Sequence, residues 1–292
     1  MSARPLIGPR RLAELLGAPD LVVLDATVDL PRPEHDGDHR ATSGRAGWQA
    51  EHLPGALHLD LLDDFADLTA GYHFAHPDGA TATRVLQDLG LHDGSTVVLY
   101  DRTDGFWAAR AWWSLRALGL HATVLDGGLA AWRRAGGAVA AAADPRPSTR
   151  AGTGGEAAAR VLRLRPDPGL WATRDDVLAT IQGRSDTLLV CALGAEQFTG
   201  TALTRYSRRG HIPTSRNLPA RDLAGQDGTF DVAHLRELAR GLRGKDVLLY
   251  CGGGISASYA ALGLVVAGHE RVRIYDGSLE EWSADPSLPL VV

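Results

Sequence analysis

Short apolar runs alternate along this chain with stretches of helical period. LVVLD (21–25), STVVLY (95–100) and ATVLD (122–126) read as strands in the first half; TLLVC (187–191), DVLLY (246–250) and RVRIYD (271–276) are their counterparts in the second. Each is apolar on both faces, the pattern of a central strand covered by helices on both sides. Helical patterns fill 81–89, 106–118, 174–182, 232–240 and 256–267. Strand–helix alternation with short turns predicts an α/β fold with mainly parallel sheets flanked by helices.

The pattern repeats. VVLYD (97–101) matches VLLYC (247–251), and LDGGLAAW (125–132) matches YDGSLEEW (275–282), both at an offset of 150 residues. EHLPGALHLD (51–60) is a looser match to GHIPTSRNLP (210–219). One offset shared across a whole βαβ unit predicts two related domains in tandem. The stretch AVAAAADPRPSTRAGTGGEAAAR, rich in Ala, Gly, Pro and Ser, has linker composition. The expected division is a first domain over 1–145, a linker over 146–165 and a second domain over 166–292.

Composition narrows the function classes. Hydrophobic residues make up 45% and charged residues 22% of the 292 positions, which fits a globular chain and excludes a disordered one. A net charge of −5 supplies no global basic field, so no nucleic-acid partner is expected. Two cysteines at unrelated positions exclude a disulfide framework and a cysteine-built zinc site, and fit a reducing cytoplasm. No apolar run approaches the ~18 residues of a membrane helix, and no membrane partner is expected.

Cys251 is the candidate nucleophile. It follows the strand DVLLY and opens CGGGISAS, which leads into a helix. The first N–H groups of a helix have no intrahelical acceptor, and the helix dipole places partial positive charge there. Three glycines let the chain curl so that such groups converge. The N–H groups of Gly252, Gly253, Gly254, Ile255 and Ser256 then form a cradle that favours a thiolate, the reactive form of cysteine. The segment lacks the Lys-Ser/Thr pair of a P-loop. A phosphatase-type cysteine loop closes on an Arg six residues after the Cys, where this chain has Ala257, so no guanidinium fork is present for phosphate oxygens.

The chain resembles the rhodanese superfamily in its two-domain form, the thiosulfate and 3-mercaptopyruvate sulfurtransferases. LDATVD (24–29), HLPGALHLD (52–60), the run 97–132 with GFWAARAWWSLR and LDGGLAAW, GHIPTSRNLP, VLLYCGGGISAS and YDGSLEEW carry the likeness. The resemblance implies two rhodanese-like domains, the first inactive with Asp101 in the cysteine position, the second catalytic. It implies that Cys251 takes a sulfane sulfur from a small donor, 3-mercaptopyruvate or thiosulfate, holds it as a persulfide and passes it to a thiophilic acceptor such as cyanide, a thiol or a thioredoxin-like protein. It implies neither cofactor nor metal. The alternative is a non-catalytic persulfide carrier or partner-binding module. The family's pocket takes in the aromatic turn of the inactive copy, where Phe106 and Trp107 match.

Departures from the family pattern bear on the substrate. In VCALGAEQFTG (190–200), Cys191 stands for the usual Asp, Leu193 for an Arg, and Gln197 for the substrate-contacting Arg. Arg205, Arg208, Arg209 or Arg216 could supply the missing charge. The uncharged CGGGIS loop is closer to mercaptopyruvate-preferring members, which place a Ser where Gly253 stands, beside a His and an Asp; Asp60 matches the Asp, and His73 or His76 the His. His35 and His39, four apart in a Pro/Gly-rich loop, define no common face for a metal. His52 and His211 occupy equivalent repeat positions and read as structural.

Overall fold

The predicted inner strands belong to two five-stranded sheets of identical topology, beside a short two-stranded sheet of Val28–Asp29 and Thr42–Ser43. The structure is a computed structural model that describes residues 5–141 and 161–292. The N-terminal sheet contains β1 (Leu6–Ile7), β2 (Leu21–Asp25), β3 (Leu57–His58), β4 (Thr96–Tyr100) and β5 (Ala122–Leu125), in the order β1-β5-β4-β2-β3. The C-terminal sheet contains β6 (Trp171–Ala172), β7 (Leu188–Cys191), β8 (Arg216–Asn217), β9 (Val247–Tyr250) and β10 (Val272–Tyr275), in the order β6-β10-β9-β7-β8. All pairings in both sheets are parallel. Apolar runs become the three inner strands, whereas the edge strands are two residues long and carry too little sequence to show a period.

The chain divides into two units. The first comprises Met1–Val28, Ser43–Ala66 and Pro77–Asp167; the second comprises Asp29–Thr42, Asp67–His76 and Pro168–Val292. Two segments of the N-terminal half thus belong to the unit that carries Cys251. Most of the linker expected over 146–165 lies outside the described residues.

Equivalent side chains build equivalent cores. Val98, Tyr100 and Trp132 pack in the first unit, and Leu248, Tyr250 and Trp282 in the second. Tyr100 Oη accepts from Leu53 N–H at 3.2 Å, and Tyr250 Oη from Ile212 N–H at 3.0 Å. These hydroxyls satisfy a backbone donor that would otherwise be buried without a partner. His52 and His211 each place Nδ1 2.8 Å from a carbonyl oxygen, of Trp48 and Phe198, and each forms an antiparallel bridge, to Ala140 and Val291. Both are structural, as the repeat implies.

Candidate active site

The central strand β9 is buried at every residue and delivers Cys251 to a strand-to-helix turn. Helix Ile255–Val266 begins after Gly254, whose φ of +80° is the left-handed conformation glycine adopts without steric cost. A second turn clamps this one from behind. Cys251 N–H donates to Ser278 Oγ at 3.1 Å, and Ser278 Oγ donates to the Tyr275 carbonyl at 2.8 Å. Leu279 N–H bonds the Cys251 carbonyl at 3.1 Å, and Glu280 N–H bonds the Gly252 carbonyl at 2.9 Å. Loop carbonyls are thereby satisfied. Among the described residues, the N–H groups of Gly252 to Ala257 have no protein acceptor.

The first copy shows what such a turn holds. Asp101 occupies the Cys251 position, and its carboxyl accepts from the N–H groups of Thr103 (3.0 Å), Gly105 (2.9 Å), Trp107 (3.0 Å) and Ala108 (3.0 Å). Burial pushes this carboxyl above its ordinary pKa, against the opposing pull of the amides. The first copy thus fills its own cradle with oxygen acceptors. In the second copy the residue at that position is Cys251.

Cys251 is 2% exposed, and Cys191 packs in the apolar cluster around Leu248, Tyr250 and Trp282. Burial pushes the Cys191 thiol up to about 12, so this cysteine stays protonated and unreactive at neutral pH. Polar side chains gather at the Cys251 loop instead. Tyr206 lies against Gly252 so closely that a methyl group there would collide with the phenol. Its hydroxyl is held well above the usual range by burial and then by the neighbouring Cys251 and Glu280. A methyl on Gly253 would lie 3.4 Å from Glu280 Oε2 and 3.7 Å from the Phe74 ring.

Glu280 anchors a histidine pair. Its Oε1 is 2.5 Å from His73 Nδ1, and its buried Oε2 has no hydrogen-bond partner. His39 stacks on His73 with centroids 3.9 Å apart and rings 12° from parallel. Burial lowers the His39 pKa. Arg205 has a buried, unpartnered Nη1 and a pKa lowered by burial, and its charge reaches His39 and Tyr206.

His39, His73 and Glu280 bring one ligand atom each within 4.8 Å of one another. The two rings lie in nearly parallel planes, so their in-plane lone pairs do not converge on one point, and His73 Nδ1 is already engaged by the carboxylate. Glu280 and His73 form a hydrogen-bonded acid–imidazole pair on which His39 stacks.

The remaining sequence-derived candidates lie on several elements of the two units. His73 faces Glu280, whereas His76 stacks on Trp171 and donates its backbone N–H to Asp276. Gln197 is exposed on the short helix Ala195–Phe198, its Oε1 folded over Gly194. Asp60 belongs to the first unit and accepts from Ser43 Oγ (2.5 Å), Leu62 N–H and Asp63 N–H; burial alone would raise its carboxyl, but these bonds hold it below the usual range. Phe106 and Trp107 open helix Phe106–Ala117 of the first unit. Tyr206, Phe74 and Glu280 were absent from the sequence expectation. For Glu280 a signal exists: the equivalent residue of the first copy is Ala130, so only the second copy has a carboxylate there.

A family defined as the Rhodanese-like domain matches residues 8–135 and 197–285. The chain belongs to the rhodanese family. It is 35% identical to the "Probable 3-mercaptopyruvate sulfurtransferase" of Pseudomonas aeruginosa over 99% of each chain. It is 30% identical to the 3-mercaptopyruvate sulfurtransferase of Homo sapiens, over 96% of this chain and 92% of that one. The Tum1 protein of Saccharomyces cerevisiae has the same fold, with a TM-score of 0.81 at 20% identity over 100% of this chain and 99% of that one. This rhodanese is accordingly a sulfurtransferase that moves a sulfane sulfur from a small donor to a thiophilic acceptor through a cysteine persulfide. Among the described residues, no helix is long and apolar enough to cross a membrane.

Proposed function

We propose that Cys251 is the persulfide-bearing cysteine and that 3-mercaptopyruvate is preferred to thiosulfate as donor. The carrying observation is the contrast between the copies: one strand-to-helix turn spends its amides on Asp101, the other leaves six consecutive N–H groups free beside a cysteine. The Cys251 thiolate attacks the sulfur of 3-mercaptopyruvate and the C–S bond breaks; its electron pair stays on the departing carbon as the enolate, which takes up the proton of the donor thiol and leaves as pyruvate, and the amides offset the negative charge of the persulfide on Cys251. Low exposure of Cys251 keeps water away from it.

The donor preference rests on charge. The CGGGIS loop has no cation to match a dianion such as thiosulfate. Of the four arginines that could replace the one missing at 197, Arg208 is committed to the carbonyls of Trp282, Ser283, Asp285 and Leu288, and Arg209 to Asp36. Arg216 is exposed. Arg205 is the one whose buried Nη1 lacks a partner, beside Tyr206 and His39, and it suits a single carboxylate. The acceptor is a small thiol, cyanide or a thioredoxin-like protein, and the two free thiols fit a reducing cytoplasm.

Steady-state assays with both donors and cyanide as acceptor test this. Cys251→Ser abolishes turnover, and Arg205→Met raises KM for mercaptopyruvate ~10-fold or more, as loss of a charge-assisted contact should. Turnover surviving in Cys251→Ser would overturn the assignment. Persulfide formation without turnover would favour the carrier.

A further inference from the structure

Glu280 is not explained by sulfur capture. It sits two residues into helix Ser278–Ala284, tied by its own N–H to the Gly252 carbonyl at 2.9 Å. Its side chain is 16% exposed. One carboxylate oxygen, Oε1, is engaged by His73 Nδ1 at 2.5 Å. The other, Oε2, is buried, has no hydrogen-bond partner, and is 4.0 Å from His39 Nε2. It faces the nucleophile loop, 3.4 Å from where a side chain on Gly253 would begin. A buried carboxylate oxygen left unpaired costs stability. The surroundings offer no structural return for it, since His73 fixes only Oε1.

We propose that Glu280 is the general base of the second half-reaction, and that the acceptor it serves is a neutral thiol rather than an anion. This rests on Cys251 being the persulfide carrier. The titratable groups beside Glu280 are His39 and His73 from the N-terminal segments and Tyr206 from the preceding loop, with the Arg205 charge reaching His39 and Tyr206. Tyr206 stays protonated, and His39 is held towards its neutral form by burial. Glu280 is therefore the group at the loop with an open acceptor position.

The step balances without an external oxidant or reductant. The S–H bond of the acceptor breaks and its proton passes to Glu280 Oε2. The acceptor sulfur bonds to the outer sulfur of the persulfide. The S–S bond at Cys251 breaks, and its electron pair remains on Cys251 as the thiolate. The acceptor leaves as its own persulfide anion, and Glu280 returns its proton to water. His73 acts as a positioning residue that turns Oε2 towards the loop. The same carboxylate repels acceptors that arrive already charged.

The test is single-turnover discharge of enzyme whose persulfide has been verified by intact mass before acceptor is added. The acceptors are 2-mercaptoethanol and sulfite at pH 8; sulfite has charge and no proton to give up. Glu280→Gln slows discharge by 2-mercaptoethanol ~10²-fold, the low end of general base catalysis, and speeds discharge by sulfite roughly 10-fold. A uniform slowing with both acceptors, or no change with either, overturns the proposal. A second measurement needs no variant. Across a series of thiols of graded acidity, the wild-type rate depends weakly on thiol pKa; a rate that follows the free thiolate fraction overturns it. Verified loading separates failure here from failure of the Cys251 assignment.

Discussion

At the scale of single residues, the site is set by what the glycines leave room for. Gly252 is glycine because Tyr206 occupies the space of a side chain, whereas Gly253 has room for a small one beside Glu280 and Phe74. Gly252→Ala is expected to destabilise the fold by about 1–3 kcal/mol, the range for overpacking, and to displace the loop. The check is a double-mutant cycle followed by urea unfolding: Tyr206→Ala should recover most of that loss, because it vacates the contested volume. Additive effects would show that the two residues do not meet. The strand-to-helix turn that carries Cys251 was legible from residue type and spacing: a strand, a cysteine, three glycines and a helix. Tyr206 was not, because the loop around it has neither period nor motif.

At the scale of the element, one strand–turn–helix is used twice with opposite content. In the first copy Asp101 is the acceptor for four N–H groups. Asp101→Ala should destabilise the first unit by about 3 kcal/mol, because buried donors lose their partner. Asp101→Asn, which keeps one carbonyl oxygen, should cost less. Denaturant unfolding of both variants checks the order; equal stability of Asp101→Ala and wild type would contradict it. The long inner strands and helices such as 106–117 and 255–266 were legible to within a residue or two. The edge strands and the helices after the two DGG/DGS turns were not, since elements of two to seven residues show little of a period.

At the scale of the whole molecule, duplication was readable from the fixed offset of 150 residues, but the assignment of segments to units was not. His39 and His73 come from 29–42 and 67–76, stretches that precede the inner strands β4 and β5 of the first sheet yet belong to the second unit. No local pattern announces that exchange, because it depends on which surface each loop covers. Gln197, which the family resemblance sets at the substrate, lies exposed on the short helix Ala195–Phe198.

Sulfur transfer at Cys251 is tested most directly by finding the transferred atom. The protein is incubated with 3-mercaptopyruvate and no acceptor, the persulfide is trapped by alkylation, and peptides are mapped by mass. One extra sulfur is expected on the peptide holding Cys251 and none on that holding Cys191, whose thiol burial keeps protonated. Sulfur found on Cys191, or on neither cysteine, would contradict it.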